Sequence, residues 1–554
     1  MAIKDLKREQ IQAIICIFLL LGTTVAVFEY TVEIRKPYFG ELSDGLHVWL
    51  TASTLKFAKN WYYEGPLNLK FGMFENPRSI EFQNLSSRKP YLSYLPGSII
   101  PIYSLSVITG QEPNVPLIMY YNLFNHFLIA FLLSLTIFIF LRQIKVDLLN
   151  SFLFSTLPIF LELLLPAPLY WHQNVFFSDQ AVILPFVLYV FLEVIIDGLN
   201  DRYIRVLGIL QNLVLFYGFL TDWLFVFVAL MVFLKRIFEG KIQFNRKIGT
   251  FLKEGFKFWL APLIAIIILL YQIFSWDRFG LVYNKVIFRT GITNKGVTVP
   301  PPYHWVEGFI NGYGEIGLYA LCFALAVVVV VLLFVLLQKL LKKETDLKIK
   351  RICALMSILL IPCILQVITF KNHSLMHSFS ILKFSVPLAT IPFVLAPVSL
   401  YLILKSNIKI PNIKFNLSKN LKVDVGFLII FLLVFSAASI YLVNEHPHYK
   451  QYWFKAGNPH YNIFGNSIRE NTNYDDIIFS PNVEISFNPP QQISYSMKRV
   501  YKINSTEDIG RFTKGLSGYH IVILFWGYPS EKWEKELENA TMVQDGNCYY
   551  YRLN

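Results

Sequence analysis

A short segment with two acids and a histidine, Glu41-Leu-Ser-Asp44-Gly-Leu-His47, follows the first long apolar stretch of the chain. A carboxylate or an imidazole held at a membrane surface can take a proton from an incoming hydroxyl or amine. If a helix begins here, the i, i+3 spacing puts Asp44 and His47 on one side of it. Capping of that helix by Ser43 or Asp44 is the alternative interpretation, but it explains one acid and not three polar groups. We therefore predict that Asp44, Glu41 and His47 form a catalytic group.

Two adjacent cations, Arg88 and Lys89, precede a segment rich in proline and tyrosine, residues 90–97, that leads into the membrane. Cations at this level suit the phosphate of a lipid-linked donor, because they can neutralise it and hydrogen-bond its oxygens. Interfacial snorkelling of the two side chains is the common alternative. The prolines and tyrosines beside them favour phosphate binding.

A later polar segment, residues 371–383, contains His373, His377 and Lys383. Two imidazoles four residues apart can ligate zinc from one helical face. The segment has no glutamate and no third ligand nearby, so a zinc hydrolase is not indicated. A cation inside a membrane is costly unless it has a function. We predict that His373 and Lys383 bind donor phosphate, with a hydrogen-bonded loop cap as the alternative.

Three further polar residues, His172, Asp179 and Asp222, interrupt or border apolar stretches. His172 and Asp179 could bind sugar hydroxyls or a divalent metal, whereas Ser178-Asp179 could equally cap the following helix. Asp222 has the same two interpretations. A carboxylate in an apolar stretch is expensive and points to a function, but capping of the helix that follows is favoured. The sequence requires no cofactor, and a divalent metal is compatible with it.

These residues must be positioned by a membrane protein. The 554-residue chain is 55% hydrophobic and only 16% charged, with a mean hydropathy of +0.47, whereas soluble proteins are typically about 25% charged. A membrane-spanning helix needs roughly 20 apolar residues. By this criterion we predict a polytopic α-helical protein with about eleven spans, near residues 11–28, 117–140, 149–165, 181–196, 206–220, 223–233, 259–273, 316–337, 353–370, 382–404 and 425–443.

The formal charge of +13 is concentrated in short segments between the apolar runs, at residues 4–8, 235–247, 339–351 and 405–422. This is the pattern of cytoplasmic loops, and it predicts a cytoplasmic N-terminus and, with an odd number of spans, an external C-terminus. No arginine–glycine or zinc-knuckle pattern accompanies the basic residues, so nucleic acid is not an expected partner. The expected setting is the lipid bilayer, most simply the plasma membrane of a prokaryote.

The composition divides the chain into a transmembrane domain, residues 1–443, and an external α/β domain, residues 444–554. Apolar runs at 477–479 and 521–525 predict buried strands of the second domain, and residues 531–539 predict a helix. In the first external loop, residues 48–62 predict an amphipathic helix in the membrane interface, with Trp49, Trp61, Tyr62 and Tyr63 at headgroup depth.

The chain resembles the GT-C class of integral membrane glycosyltransferases, in outline the protein O-mannosyltransferases and aminoarabinose transferases. The resemblance covers roughly residues 1–404 and rests on Asp44, the segment 88–91, the breaks at Asp179 and Asp222, and the late histidine–lysine segment. It implies that Asp44 acts as the base or orients the acceptor, and that Lys89 holds polyprenyl phosphate. Many relatives have two adjacent acids where this chain has Asp44-Gly45. The Trp-Trp-Asp motif of oligosaccharyltransferases is absent, which argues against N-glycan transfer.

The favoured function is therefore inverting transfer of a hexosyl or pentosyl group from a polyprenyl-phosphate donor to a glycan, lipid or protein acceptor at the outer membrane face. The alternative is a transporter or flippase of an anionic lipid-linked substrate, using the same cations without chemistry. A transporter would be expected to show inverted repeats with paired broken helices. No such symmetry is evident in the sequence, and the long external segments favour the enzyme.

Overall fold

Apolar helices account for most of the chain up to residue 451, as the apolar runs predict. The structure, a computed structural model, describes residues 3–75, 85–198, 201–239, 248–292, 303–341, 345–407, 414–418, 421–451, 459–514 and 518–553. Parts of the predicted basic segments 235–247, 339–351 and 405–422 lie outside these residues. The helices are Ile3–Arg35 (α1), Trp49–Glu64 (α2), Ile99–Thr109 (α3), Val115–Gln143 (α4), Leu148–Leu164 (α5), Pro166–Asn174 (α6), Ser178–Ala181 (α7), Ile183–Gly198 (α8), Asp201–Thr221 (α9), Leu224–Phe238 (α10), Ile248–Ser275 (α11), Phe279–Thr290 (α12), Tyr303–Leu340 (α13), Leu347–Thr369 (α14), Lys371–Met376 (α15), Ser385–Thr390 (α16), Ala396–Asn407 (α17) and Val425–Glu445 (α18).

Each of the predicted apolar runs is helical. Within the described ranges, nine helical segments are long and apolar enough to cross a membrane, and ten if the pair α5–α6, bent by 58°, counts as one span. The predicted run 223–233 corresponds to α10, which has 15 residues and is short for a full span. The prediction of a polytopic helical membrane protein is confirmed, and the approximate count of eleven exceeds the nine or ten because α10 is short.

Prolines divide the predicted span 382–404 into different helical types. A 3-10 segment, Ser378–Phe384, leads into α16, a π-helical turn at Ile391–Leu395 and then α17. Proline removes a backbone donor and clashes with the preceding turn. Pro387 lies in the first turn of α16, where the missing donor has no helical partner, whereas Pro392 lies in the π-helical turn, where the regular helix ends. The break brings the side chains of 378–384 to the end of the helix bundle, where the functional residues described below meet.

The helix predicted at 48–62 is present as α2, and much of it is buried in protein. Residues Leu50–Ala58 are buried, and Trp61 is only 2% exposed, with its indole N–H donating to the carbonyl of Gly72. Thr51 and Thr54 donate to the carbonyls of Asn174 and Phe176. Protein therefore covers this helix on several sides. Trp61 packs in the core and not at headgroup depth as predicted, whereas Trp49 and Tyr62 are half-buried and Tyr63 is exposed.

A short antiparallel pair, Met73–Phe74 (β1) and Pro90–Tyr91 (β2), precedes α3. Gly97 then allows the chain to approach α9 closely, since a Cβ here would lie 2.6 Å from the backbone carbonyl of Leu220. This close approach places the aromatic segment around Tyr94 beside the end of α9. The segment between α1 and α3 is thus folded onto the bundle.

The C-terminal region forms a mixed sheet, confirming the strands predicted at 477–479 and 521–525. The pair Lys414–Ser418 (β3) and Leu421–Asp424 (β4) precedes α18, and the sheet itself comprises Asp476–Ser480 (β5), Val500–Lys502 (β6), His520–Trp526 (β7), Thr541–Asp545 (β8) and Cys548–Leu553 (β9). The strand order is β6-β5-β7-β9-β8, with β5 parallel to β6 and β7 and with β9 antiparallel to β7 and β8. The accompanying helices are Pro459–Asn471 (α19), Val483–Ser486 (α20), Pro490–Ser496 (α21), Thr506–Thr513 (α22) and Glu531–Glu536 (α23).

The C-terminal region is attached to α2 by polar contacts. The hydroxyl of Tyr474 donates to Glu64 at 2.6 Å and to Asn60 at 3.1 Å, and its ring stacks on Tyr63 with centroids 4.3 Å apart. The hydroxyls of Ser53 and Ser494 lie 3.0 Å apart. This docking places the C-terminal region at the same end of the bundle as the first loop.

The orientation of the chain is tested by cysteine accessibility. In a variant lacking the native cysteines, a cysteine replacing Lys535, which is exposed in the C-terminal region, should react with an impermeant maleimide in intact cells. A cysteine replacing Lys348, at the opposite end of the bundle, should react only after permeabilisation, because basic loops stay in the cytoplasm. The reverse labelling pattern would contradict the predicted topology.

Candidate functional site

Asp44 lies between the first loop and the C-terminal region. The side-chain amide of Asn462 donates to its Oδ1 at 2.7 Å. The N-cap of α2 is Val48, which has no side-chain cap, so Asp44 does not cap this helix. The nearby hydroxyl of Tyr495 donates to the carbonyl of Ser43 at 3.2 Å. Among the described residues, Asn462 is the hydrogen-bond partner of this half-buried carboxylate, and that bond occupies Oδ1.

His47 packs against aromatic rings a few residues further on. It is held at a φ of 61°, a conformation that costs energy for a residue with a Cβ. Its ring lies 5.9 Å from that of Trp171 and 6.3 Å from that of His377, and its Nε2 is 3.1 Å from the hydroxyl of Ser378. Burial, with a smaller effect of His377, lowers the pKa of His47 to about 3. His47 is therefore neutral at physiological pH and acts as a hydrogen-bonding group rather than a strong base.

His373 and His377 belong to the same aromatic cluster. The rings of His373 and His377 have centroids 4.8 Å apart, and the Nε2 of His373 lies 3.1 Å from the hydroxyl of Tyr94. Burial lowers the pKa of His377 to about 4 and also lowers the pKa of His373. The segment predicted to bind phosphate thus contributes neutral imidazoles, which suit sugar hydroxyls as hydrogen-bonding partners.

Lys383, Asp179 and Asp222 form one buried ion cluster, although the sequence analysis assigned them to separate roles. The Nζ of Lys383 lies 2.6 Å from Asp179 Oδ1 and 3.2 Å from Asp222 Oδ2. Asp222 Oδ1 also accepts from the amide of Gln366 at 2.8 Å and from the backbone N–H of Leu224 at 2.7 Å. Asp222 therefore caps α10, as favoured from the sequence, and is also an ion-pair partner.

This arrangement changes what Lys383 can do. One ammonium shared between two carboxylates has no excess positive charge for a phosphate, so the geometry does not favour the predicted phosphate contact. Asp179 does not cap α8 and is instead engaged with Lys383. We infer that the cluster holds the ends of several spans together and presents excess negative charge on the side of His377.

The two cations of the 88–97 segment are in different environments. Arg88 is buried, forms an ion pair with Glu64 at 2.6 Å and lies over the ring of Phe74. This setting favours a role in packing β1 and β2 against α2. Lys89 is about half exposed and pairs with Glu75 at 2.5 Å, so it stays accessible to a ligand.

A cavity of about 460 Å³ opens between α2, the β1–β2 pair and α21. Lys56 and Lys89 line it together with Glu75 and Tyr91, and its remaining wall is formed by Trp49, Leu50, Ser53, Phe57, Phe177, Pro490, Ile493 and Ser494. Burial lowers the pKa of Lys56 to about 8, with Glu75 opposing the shift. Such a buried ammonium is stabilised by an anion in the cavity.

Two more cations approach the same place from α12. Lys285 Nζ lies 5.4 Å from the ring centre of Tyr91 and 3.8 Å from Glu75, and the guanidinium of Arg289 lies 5.0 Å from the ring centre of Tyr94. The i, i+4 spacing places both cations on one face of α12. Its other face, with Phe279, Tyr283 and Val286, is exposed, as expected for a helix at a membrane surface.

His172 is not part of this group. It is fully buried among membrane helices, with its ring stacked on that of His126 at 4.7 Å and its Nε2 3.9 Å from Glu162. Arg35 completes the cluster by contacting His126 Nδ1 at 3.2 Å. Glu41, by contrast, is exposed. The structure thus brings Asp44, His47, His373, Lys89, Asp179, Asp222 and Lys383 to one end of the bundle, with His172 in a separate cluster.

Sequence reasoning missed Lys56, Lys285 and Arg289 as site residues. Lys56 shares one face of α2 with Trp49 and Ser53, at i+7 and i+3 from them, and this polar stripe beside a tryptophan was a usable signal. Lys285 and Arg289 belong to a segment whose basic residues are evident in the sequence. That they lie on the same face of a helix follows only from the structure of α12. Among the described residues, no three His, Cys, Asp or Glu side chains are grouped to hold a metal ion.

Solved structures with a similar fold were found for this protein, whereas the two sequence comparisons found no match. No protein-family model and no curated protein matches the sequence. The archaeal oligosaccharyltransferase AglB from Archaeoglobus fulgidus, solved with an inhibitory peptide and a dolichol-phosphate, is similar with a TM-score of 0.51 at 10% identity, over 91% of this chain and 69% of AglB. The fold is that of the GT-C glycosyltransferases.

A second GT-C protein, ArnT from Cupriavidus metallidurans in the apo state, matches with a TM-score of 0.47 at 9% identity and covers 97% of both chains. The GT-C fold expected from the resemblance is therefore confirmed by AglB. At such low identity the likeness extends to the fold alone, and the site residues have to be argued from their own geometry.

The ion cluster of this GT-C fold can be tested by stability. Lys383→Met leaves two buried carboxylates without their cation and should cost about 3 to 5 kcal/mol, seen as a large fall in the thermal unfolding temperature in detergent. The triple variant Lys383→Met/Asp179→Asn/Asp222→Asn should recover part of the loss. Lys371→Met, at an exposed lysine nearby, is the matched control, and equal stability of Lys383→Met and this control would contradict the buried ion cluster.

Proposed function

We propose that this protein is a glycosyltransferase that moves a sugar from a polyprenyl-phosphate donor to an acceptor at the membrane face where the first loop and the C-terminal region meet. The GT-C fold supports this class of reaction, and AglB, which shares that fold, was solved with a dolichol-phosphate. The donor sugar would be a hexose or pentose, and the acceptor a glycan, a lipid or a protein. The membrane would be the plasma membrane of a prokaryote.

The observation that carries the proposal is the buried lysine at the cavity. Lys56 is 4% exposed and is within hydrogen-bond distance of the hydroxyl of Ser494 at 3.5 Å. It has no carboxylate within ion-pair distance among the described residues, and Glu75 is shared by Lys89 and Lys285. Among the described residues, Lys56 is therefore a buried cation of this cavity without an ion-pair partner. A buried ammonium is costly without an anion, and a phosphate group supplies the missing charge.

The lipid can reach this cavity along α12. The exposed apolar face of α12 would contact the acyl region while Lys285 and Arg289 face the site. Tyr91, hydrogen-bonded to Arg289, lies between the two groups of cations. A polyprenyl chain can thus remain in the bilayer while its phosphate is held by Lys56, Lys89, Lys285 and Arg289.

The chemical step is a displacement at the anomeric carbon. The acceptor oxygen forms a bond to that carbon, the bond to the phosphate oxygen breaks, and polyprenyl phosphate leaves with the electron pair. Asp44 takes the acceptor proton in this proposal, because its carboxylate keeps a lone pair beyond the bond from Asn462. The cations stabilise the charge that develops on the departing phosphate. His47, His373 and His377, being neutral, would orient sugar or acceptor hydroxyls.

The whole proposal is tested by incubating purified protein with a panel of polyprenyl-phosphate sugars and following the lipids by mass spectrometry. We expect release of polyprenyl phosphate together with a product that gains the mass of one sugar. Movement of the intact lipid-linked sugar across a vesicle bilayer, with no release of polyprenyl phosphate, would contradict the enzyme and indicate a transporter.

Removing any one of the proposed phosphate-binding cations should raise the KM for the donor. Lys56→Gln, Lys89→Ala and Lys285→Ala should each raise the KM for the donor by about tenfold or more, because each removes a charge-assisted contact to phosphate. Lys59→Ala is the matched control, since Lys59 lies on α2 but pairs with Glu112 at 3.0 Å away from the cavity. A normal donor KM in Lys89→Ala would remove that residue from the site.

Asp44→Asn is the test of the base. The amide keeps the size of the side chain and a hydrogen bond to Asn462, but it cannot accept a proton. Turnover should fall about a hundredfold or more while donor binding and the unfolding temperature stay close to those of the parent. Glu33→Gln, at an exposed acid near the end of α1, provides the control. Near-normal turnover of a well-folded Asp44→Asn protein would contradict the assignment and leave Glu41 to be examined.

A further inference from the structure

At the end of the bundle opposite to the candidate site, helices α10, α13 and α14 enclose two adjoining compartments of about 490 Å³ each. They share five lining residues, which are Phe238, Val335, Lys339, Lys350 and Ala354. One compartment is polar and the other is apolar. The shared residues place the two compartments side by side, and we call the pair a groove with a charged end and an apolar end.

The polar compartment contains Lys339, Lys350 and Arg351, together with Asp197 and Glu239. The carboxylates already have a cation, because Lys235 forms ion pairs with Asp197 and, at 3.8 Å, with Glu239. Lys339, Lys350 and Arg351 have no carboxylate within ion-pair distance in the part of the chain that the structure describes. Their charge is therefore available to a ligand.

The apolar compartment continues from these cations into the membrane region. It is lined by Met231, Leu234, Leu332, Leu336 and Ile358, among other apolar side chains. Leu332 lies seven residues before Lys339 on α13, which is about 10 Å along the helix axis. Leu234, Phe238 and Leu336 are exposed in the isolated chain, so the groove is open toward the surrounding lipid.

We propose that this groove binds an anionic phospholipid, with its phosphate at Lys339, Lys350 and Arg351 and one acyl chain in the apolar compartment. A soluble anion would gain nothing from the apolar half, and an apolar ligand would gain nothing from the cations. A lipid with an anionic headgroup satisfies both halves at once. The site is distinct from the proposed donor cavity, and the proposal does not depend on the catalytic function.

The test is native mass spectrometry of the full-length protein in detergent, with phosphatidylglycerol or phosphatidylcholine added. We expect retention of phosphatidylglycerol in preference to phosphatidylcholine, and at least about tenfold weaker retention in Lys339→Glu/Lys350→Glu. Lys348→Glu/Lys371→Glu is the control: it makes the same change in net charge, and neither lysine lines the groove. Equal loss in the control, or equal retention of both lipids by the parent protein, would overturn the proposal.

A second variant distinguishes binding of the lipid in the groove from general electrostatic attraction of the lipid to surface charges. Ala354→Trp fills the wall shared by the compartments and leaves every charge in place, so it should also reduce retention of phosphatidylglycerol. Ala354→Leu, which adds less volume, should reduce it less and shows whether a smaller change is tolerated. Both variants must elute from a size-exclusion column as a single symmetric peak, which shows that they are folded, before their lipid retention is compared. Full retention by a well-folded Ala354→Trp protein would overturn the groove and leave only surface attraction.

Discussion

The neutralisation of Lys383 by Asp179 and Asp222 is the interaction on which the geometry of the candidate site depends. Each of these residues stands where a membrane helix begins or ends, and Gln366 of α14 joins them through Asp222. Burying one of these charges alone would be very costly, whereas burying them together gives the ammonium two carboxylate partners and offsets part of that cost. The helix ends are consequently fixed at one point. The neighbouring imidazoles and the Tyr94 segment are positioned relative to that point.

The division of charge around the site follows from this cluster. The ion cluster combines one ammonium with two carboxylates on one side, and the cavity beside α2 contains the buried ammonium of Lys56 on the other. Between them lie neutral imidazoles and tyrosines. A phosphate is attracted to the cation side, while a sugar projecting from that phosphate would face groups that donate and accept hydrogen bonds. The same separation keeps Lys383 from competing with Lys56 and Lys89 for the phosphate.

The sequence was sufficient for the membrane class, the approximate number of helices and two strands of the C-terminal sheet, because apolar runs and their lengths are local properties. The ion cluster could not be predicted, since Lys383 is 204 residues from Asp179 and 161 from Asp222. Each residue alone had an adequate local explanation as a cap or a phosphate ligand. The buried position of α2 was missed for a related reason, because its aromatic residues suit both a headgroup layer and a protein core. Part of what covers α2 is more than 400 residues away, such as Tyr474, whose ring stacks on Tyr63, whereas Trp61 is covered by Phe71 and Tyr103.

The contact between Asp44 and Asn462 connects the two sides of the predicted domain boundary at residue 443. Composition changes sharply there, which suggests an appended external domain. Yet the C-terminal region donates a hydrogen bond to the proposed base, contributes Pro490, Ile493 and Ser494 to the cavity wall, and packs along α2. A carboxylate that served as a base in open water would be strongly solvated, whereas one enclosed between the first loop and α19 is oriented by a single amide. We therefore infer that the boundary separates two compositions but not two functions, and that the site is completed by both parts of the chain.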